Sequence, residues 1–170
     1  IHIIYYNDIK KAYEFIKIAG LNEYPFGQNN LGLILQFFYD NIDEAQYFYE
    51  KSSKHHFALA EYNLGYIKEK NGEIDESIEL YKKASEDENE PLYFHNKRHY
   101  DKQLEISKTF IICFTNLKIS EYYFSQSKYD ESKKYFNKSF SKLINSSNKF
   151  DFRFNINSDE QKQFLYLRLF

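Results

Sequence analysis

The 170-residue chain has one cysteine, no methionine, no tryptophan, five glycines and two prolines. A single thiol, Cys113, excludes an internal disulfide and any multi-cysteine zinc site. So little glycine and proline argues against an all-β chain, which needs a turn every ten residues or so. No glycines stand in dinucleotide-fold or P-loop spacing, so there is no phosphate cradle of either kind. The longest clearly apolar run, Phe110 to Phe114, is far shorter than the ~20 residues of a membrane helix. The N-terminus has neither the basic start nor the small-residue cleavage site of a signal peptide.

What the chain does have is aromatic residues, with 17 Tyr and 17 Phe. That content excludes a disordered chain and supports one domain with a real core. The net charge of −2 hides an asymmetry: residues 1–90 sum to −8 and residues 91–170 to +6. Neither half is basic enough to mark a nucleic-acid surface. The dipolar charge is read either as two solvated surfaces or as a means of selecting an oppositely charged partner.

Self-similarity dominates the pattern. Asn30-Leu31-Gly32 recurs as Asn63-Leu64-Gly65, an offset of 33, and Ile42-Asp43-Glu44-Ala45 recurs as Ile74-Asp75-Glu76-Ser77, an offset of 32. The one-residue change falls in the intervening turn. Upstream, Asp8 to Ala12 aligns with Asn41 to Ala45, and Ala19 with Ser52. Downstream, Lys128 to Ser132 aligns with Glu73 to Ser77, but 55 residues on, so the repeat is interrupted near 88–103. Each unit reads as two amphipathic helices. In the second full unit Leu59, Tyr62, Tyr66 and Ile67 form one stripe, and Ile78, Tyr81 and Ala84 the return face. Asn71-Gly72 is a helix stop between them. Small residues recur where the helices must approach closely: Gly32, Gly65 and Ser120 in the first helices, Ala45, Ser77 and Ser132 in the second. Neither helix buries its stripe alone, so the units must stack.

The stretches Ala60 to Ile67, Asn71 to Ser77 and Leu80 to Ala84 resemble a tetratricopeptide repeat, with Sel1-like repeats as the close relative. The distance of 12 from Gly65 to Ser77, and from Ser120 to Ser132, matches tetratricopeptide spacing. The resemblance covers roughly residues 8–87 and 113–145. It implies an all-α, right-handed α-solenoid of antiparallel helix pairs with about three and a half repeats. The expected organisation is one domain: a partial repeat over 1–20, repeats at about 24–55, 56–87 and 104–145, an insertion at about 88–103, and a connector and helix over 146–170. The third unit's first helix is expected from near Asp101 to about Ser127. Phe150, Phe152, Phe154 and Ile156 alternate and read as an extended connector, and Ser158 to Phe170 as a capped apolar helix. The missing initiator methionine and this abrupt apolar end lead us to expect a piece of a longer protein.

Candidate chemistry is sparse. His95 and His99 have i, i+4 spacing, but no third ligand is placed by sequence, and they read as surface residues. His55 and His56 are adjacent, diverge on a helix, and read as helix-boundary residues. Cys113 reads as a buried free thiol. The sequons at Asn137 and Asn145 read as chance matches. No catalysis, cofactor or metal is expected in this chain.

In the family it resembles, the first helices line a concave surface that holds a peptide. Carried over by position, that surface comprises Asn29, Leu33 and Phe37, then Tyr62, Tyr66 and Glu69, then Leu117, Glu121 and Phe124. These residues either bury an aromatic or aliphatic anchor or pack between helices. A clamp for a C-terminal carboxylate is disfavoured, because Asn29 and Leu33 replace the expected Lys and Asn, and Glu69 and Glu121 would repel the ligand. The expected function is a protein–protein interaction scaffold or adaptor in the cytoplasm, binding a protein or peptide and neither nucleic acid nor membrane. The alternative is a structural spacer beside a catalytic domain, such as a kinase, outside this sequence. The oligomeric state is not read from the sequence.

Overall fold

A computed structural model describes residues 9–86 and 97–147, and within them the side chains of 13–86 and 109–142. Among the described residues seven helices follow in order: α1 (Ile9–Leu21), α2 (Pro25–Phe38), α3 (Ile42–Ser53), α4 (Ala58–Lys70), α5 (Ile74–Glu86), α6 (Lys97–Ser125) and α7 (Tyr129–Ser147). No strand occurs among the described residues. The helices pair as α2 with α3, α4 with α5 and α6 with α7, while α1 packs on α2 as the second helix of a partial unit. Each pair also packs on the next, which is the expected helix-pair solenoid of about three and a half repeats.

The small residues do what their recurrence implies. A Cβ on Gly32 would lie 2.6 Å from the Tyr49 ring, and one on Gly65 would lie 2.8 Å from the Tyr81 ring. Each tyrosine is buried in the notch its glycine leaves, and each hydroxyl reaches a polar side chain one turn beyond that glycine. Tyr49 donates to Gln36 Oε1 at 2.8 Å, and Tyr81 donates to Glu69 Oε2 at 2.7 Å. A buried phenol needs such an acceptor. In the third pair the glycine is Ser120, which donates to the Ser132 carbonyl at 2.8 Å and lies 3.0 Å from its hydroxyl. With the notch closed, the equivalent ring, Phe136, turns outward and stacks on Phe140 at 6.1 Å. The far ends of the first and third pairs are closed in a related way: Ser52 donates to the Pro25 carbonyl at 2.7 Å, and Ser139 donates to that of Cys113 at 3.0 Å.

The turn inside each pair uses one backbone device. Asp40, Gly72 and Ser127 all adopt positive φ, at 51°, 82° and 57°. The next amide then closes on a carbonyl in the last helical turn: Glu73 on Lys68 at 2.9 Å, and Lys128 on Tyr123 at 2.9 Å. In the first pair Asn41 closes on Leu35, one residue further back. That wider closure absorbs the one-residue change in the repeat offset. Asn41 also caps α3, accepting from the Glu44 amide at 3.3 Å and donating to its carboxylate at 2.8 Å.

Two expected boundaries move. α6 begins at Lys97, not near Asp101, so residues 97–103 of the expected insertion are helical. Nothing between Lys97 and Ser125 breaks a helix, and the nearest breaker upstream is Pro91. The helix α7 runs on through Ser147, so the first two residues of the connector expected over 146–170 are helical, and the rest of it, like residues 87–96 with His95, lies outside the described residues. His99 lies in α6, in the part whose side chains are not described.

Candidate interaction cleft

The helices that lead each pair make a polar contact across each junction, and the two contacts differ. Between the first and second pairs, Asn63 donates to Asn29 Oδ1 at 2.9 Å, both buried. At the second junction the residue in the register of Asn63 is Lys118. It reaches Glu69 Oε1 at 2.8 Å, with a third of each side chain still exposed. A buried amide pair holds two helices close, whereas a long Lys–Glu pair spans a gap. There, at the turn edge, a cleft of ≈ 680 Å³ opens between α4, α5 and the end of α6.

Ile74, Ile78, Tyr81 and Tyr122 give the cleft its apolar surface. Its charged lining is three carboxylates (Glu69, Asp75 and Glu121) against one ammonium, Lys118. Burial opposes ionisation of Glu69, but the hydrogen bonds from Lys118 and Tyr81 outweigh it and hold the carboxyl below its ordinary pKa. Burial likewise opposes the charge on Lys118, yet Glu69 keeps the ammonium above its ordinary value. Tyr81 is pushed far up by burial and by the carboxylate it bonds, so it stays a neutral donor. Tyr122 donates to Asp75 Oδ1 at 3.0 Å. Glu121 lies 3.9 Å from Lys118, with 73% of its side chain exposed.

The nine residues expected to line a groove fall into two groups. Asn29 and Tyr62 are 0% and 8% exposed, and Leu33 is also buried. Asn29 is spent on Asn63 and Asn30, and Tyr62 packs tilted on Tyr81 at 5.6 Å. These three support the surface from behind, because polar pairing and ring packing between helices take them out of reach. Phe37 is exposed on α2. Tyr66 is half-buried beneath Lys70, whose ammonium lies 5.3 Å from the ring centre. Leu117 is half-buried, and Phe124 is 63% exposed and edge-packed on Tyr129. Of the nine, only Glu69 and Glu121 line the cleft. Sequence reasoning missed Asp75, Ser77, Ile78, Lys118 and Tyr122. For Lys118 a signal existed: a cation breaks the run of asparagines at Asn30 and Asn63. Asp75 and Tyr122 carry no such mark.

Other candidate residues keep structural roles. Cys113 is buried, and burial raises its thiol to about 11, which leaves it protonated and unreactive at neutral pH. His55 and His56 sit exposed in the turn after α3. Among the described residues no group of three His, Cys, Asp or Glu side chains is placed to hold a metal, and no helix is long and apolar enough to cross a membrane.

No family model matches the chain, and no curated protein does. Among solved structures it is similar to the crystal structure of MamA, with a TM-score of 0.55 over 82% of this chain and 71% of that one. The fold is a tetratricopeptide- or Sel1-like solenoid. At 22% identity the likeness speaks to architecture alone, so the cleft has to be read from its own chemistry.

Proposed function

We propose that this chain is a protein-interaction module that holds an extended segment of a partner protein at the junction between its second and third helix pairs. The open cleft at that junction carries the reading. It combines apolar walls with a few converging polar groups, which is the composition of a site that anchors one or two side chains, and an exposed ring, Phe124, follows the lining residues Glu121 and Tyr122 on α6. Tyr66 and Leu117 extend the surface along α4 and α6.

The test is selection of a random dodecapeptide display library on the full chain, followed by titration of the selected peptides. Replacing Phe124 and Glu121 together by Ala is expected to weaken those peptides at least about tenfold while leaving the helical signal intact, because both side chains are mostly exposed. Failure to select any peptide, or equal binding to the folded variant, would overturn the reading. Tyr62→Ala is unsuitable here: it empties a packed site, so lost stability would be confused with lost binding.

A further inference from the structure

The lining of the cleft defines what enters it, provided the site binds a partner segment as proposed above. Lys118 is committed to Glu69 at 2.8 Å and reaches Glu121 only at 3.9 Å. Among the described residues Asp75 has a phenol donor, Tyr122, and no cation. Two carboxylates therefore face the opening with acceptor capacity to spare. A third polar group lies deeper. Ser77 lines the cleft, is 1% exposed, and its hydroxyl makes no hydrogen bond among the described residues. The Tyr81 phenol beside it gives its own proton to Glu69, and the Ser77 hydroxyl points toward the phenol oxygen without reaching full hydrogen-bond geometry. A buried hydroxyl without a partner is costly, so a ligand group that pairs with it gains affinity.

Between these polar groups lie the aliphatic surfaces of Ile74 and Ile78 and the ring of Tyr122. A ligand that fits has an apolar stem, a cationic end and several donors. An anion would meet a net deficit of positive charge, and a purely aliphatic anchor would leave Asp75, Glu121 and Ser77 unpaired.

We infer that the cleft takes an arginine side chain of the partner segment, its stem along Ile74 and Ile78 and its guanidinium between Asp75 and Glu121. The planar fork offers five donors, enough to serve two carboxylates and a hydroxyl at once, and its face stacks on an aromatic ring. Lysine carries the same charge with a more tightly held hydration shell and without the fork.

The test uses a dodecapeptide selected on the full chain and its synthetic analogues. Its key arginine is replaced by citrulline, which keeps shape and most donors while removing the charge, and separately by lysine. Selected sequences are expected to carry a shared arginine. Citrulline should weaken binding by about tenfold or more, and lysine by a smaller factor. Asp75→Asn with Glu121→Gln should cost the arginine peptide about tenfold and leave the citrulline peptide unchanged, so that the two losses do not add. Raising salt from about 50 to about 500 mM should weaken the arginine peptide alone. Selected peptides without a basic residue, or a citrulline analogue that binds as tightly as its parent, would overturn the inference while leaving the interaction module standing. Selection of no peptide at all would remove both. Asp75 and Glu121 are exposed, so loss of fold does not confuse the double variant; its helical signal and melting transition verify this.

Discussion

The first two helix pairs and the third solve the same problem differently. All three must bring two helices close at the turn end. The first two do so with a glycine and a tyrosine that fills its notch, the phenol tied to Gln36 or Glu69. The third does so with Ser120 and Ser132 in contact, and the ring that would have filled a notch, Phe136, is half exposed. The lesson is that a repeat conserves a distance between helices while the atoms that set it vary. The same holds between pairs, where a buried Asn–Asn contact gives way to the longer Lys118–Glu69 pair. The cleft sits at the junction where the pattern changes.

That contrast can be broken by substitution, most sharply at the notch. Gly65→Ala is expected to cost about 2 kcal/mol in denaturant unfolding, because the new methyl meets a buried ring that has nowhere to go. The cost should shrink when Tyr81→Ala is made as well, since the clash then has no second party. Ser120→Ala in the third pair should cost no more than about 1 kcal/mol, for a hydrogen bond lost without a clash. A larger loss at Ser120 than at Gly65 would erase the distinction between the pairs.

Tyr49→Phe should cost about 1 kcal/mol, the bond to Gln36. Phe136→Ala, at the equivalent position, should cost less, because its ring is 50% exposed. At the second junction Lys118→Met is expected to cost ~0.5–1 kcal/mol, since solvent screens a pair this exposed. Its pH dependence has a definite sign. Glu69 is depressed when folded, so its contribution is present above the unfolded carboxyl pKa and is lost as pH falls through the folded one. Lys118 is raised when folded, so its contribution is lost as pH rises through that raised value. Glu69→Gln should flatten the acid side of the stability profile. The smallest effect expected is at the turns: Ser127→Gly should stabilise by about 0.5 kcal/mol, by removing a side chain from a left-handed position, as Gly72 already does.

Most of the architecture was legible because it repeats. Gly32 with Ala45 and Gly65 with Ser77 announce a close approach at fixed spacing, and two periodic stripes separated by Asn71-Gly72 announce a helical hairpin. The turns at Asp40 and Ser127 were not legible as left-handed, since neither residue demands that conformation; the hydrogen bonds that close the helix ends impose it. The start of α6 was misplaced because the repeat offered no template across the interruption. The site was only partly legible. Position on the first helix does not tell whether a ring faces a groove or a neighbour, and Tyr62 and Asn29 face neighbours. Glu69 and Glu121 line the cleft, and its lining also includes Asp75, Ser77 and Ile78 from the returning helix. No reading of first-helix positions reaches those residues.

The proposed binding is confined to the second junction and does not run along the whole array. Amide hydrogen exchange of the full chain, with and without a selected peptide at saturating concentration, tests it most directly. Binding at the second junction is expected to add protection over residues 69–81 and 117–126, and none over α2 and α3. Protection confined to α2 and α3, with the second junction unchanged, would contradict it.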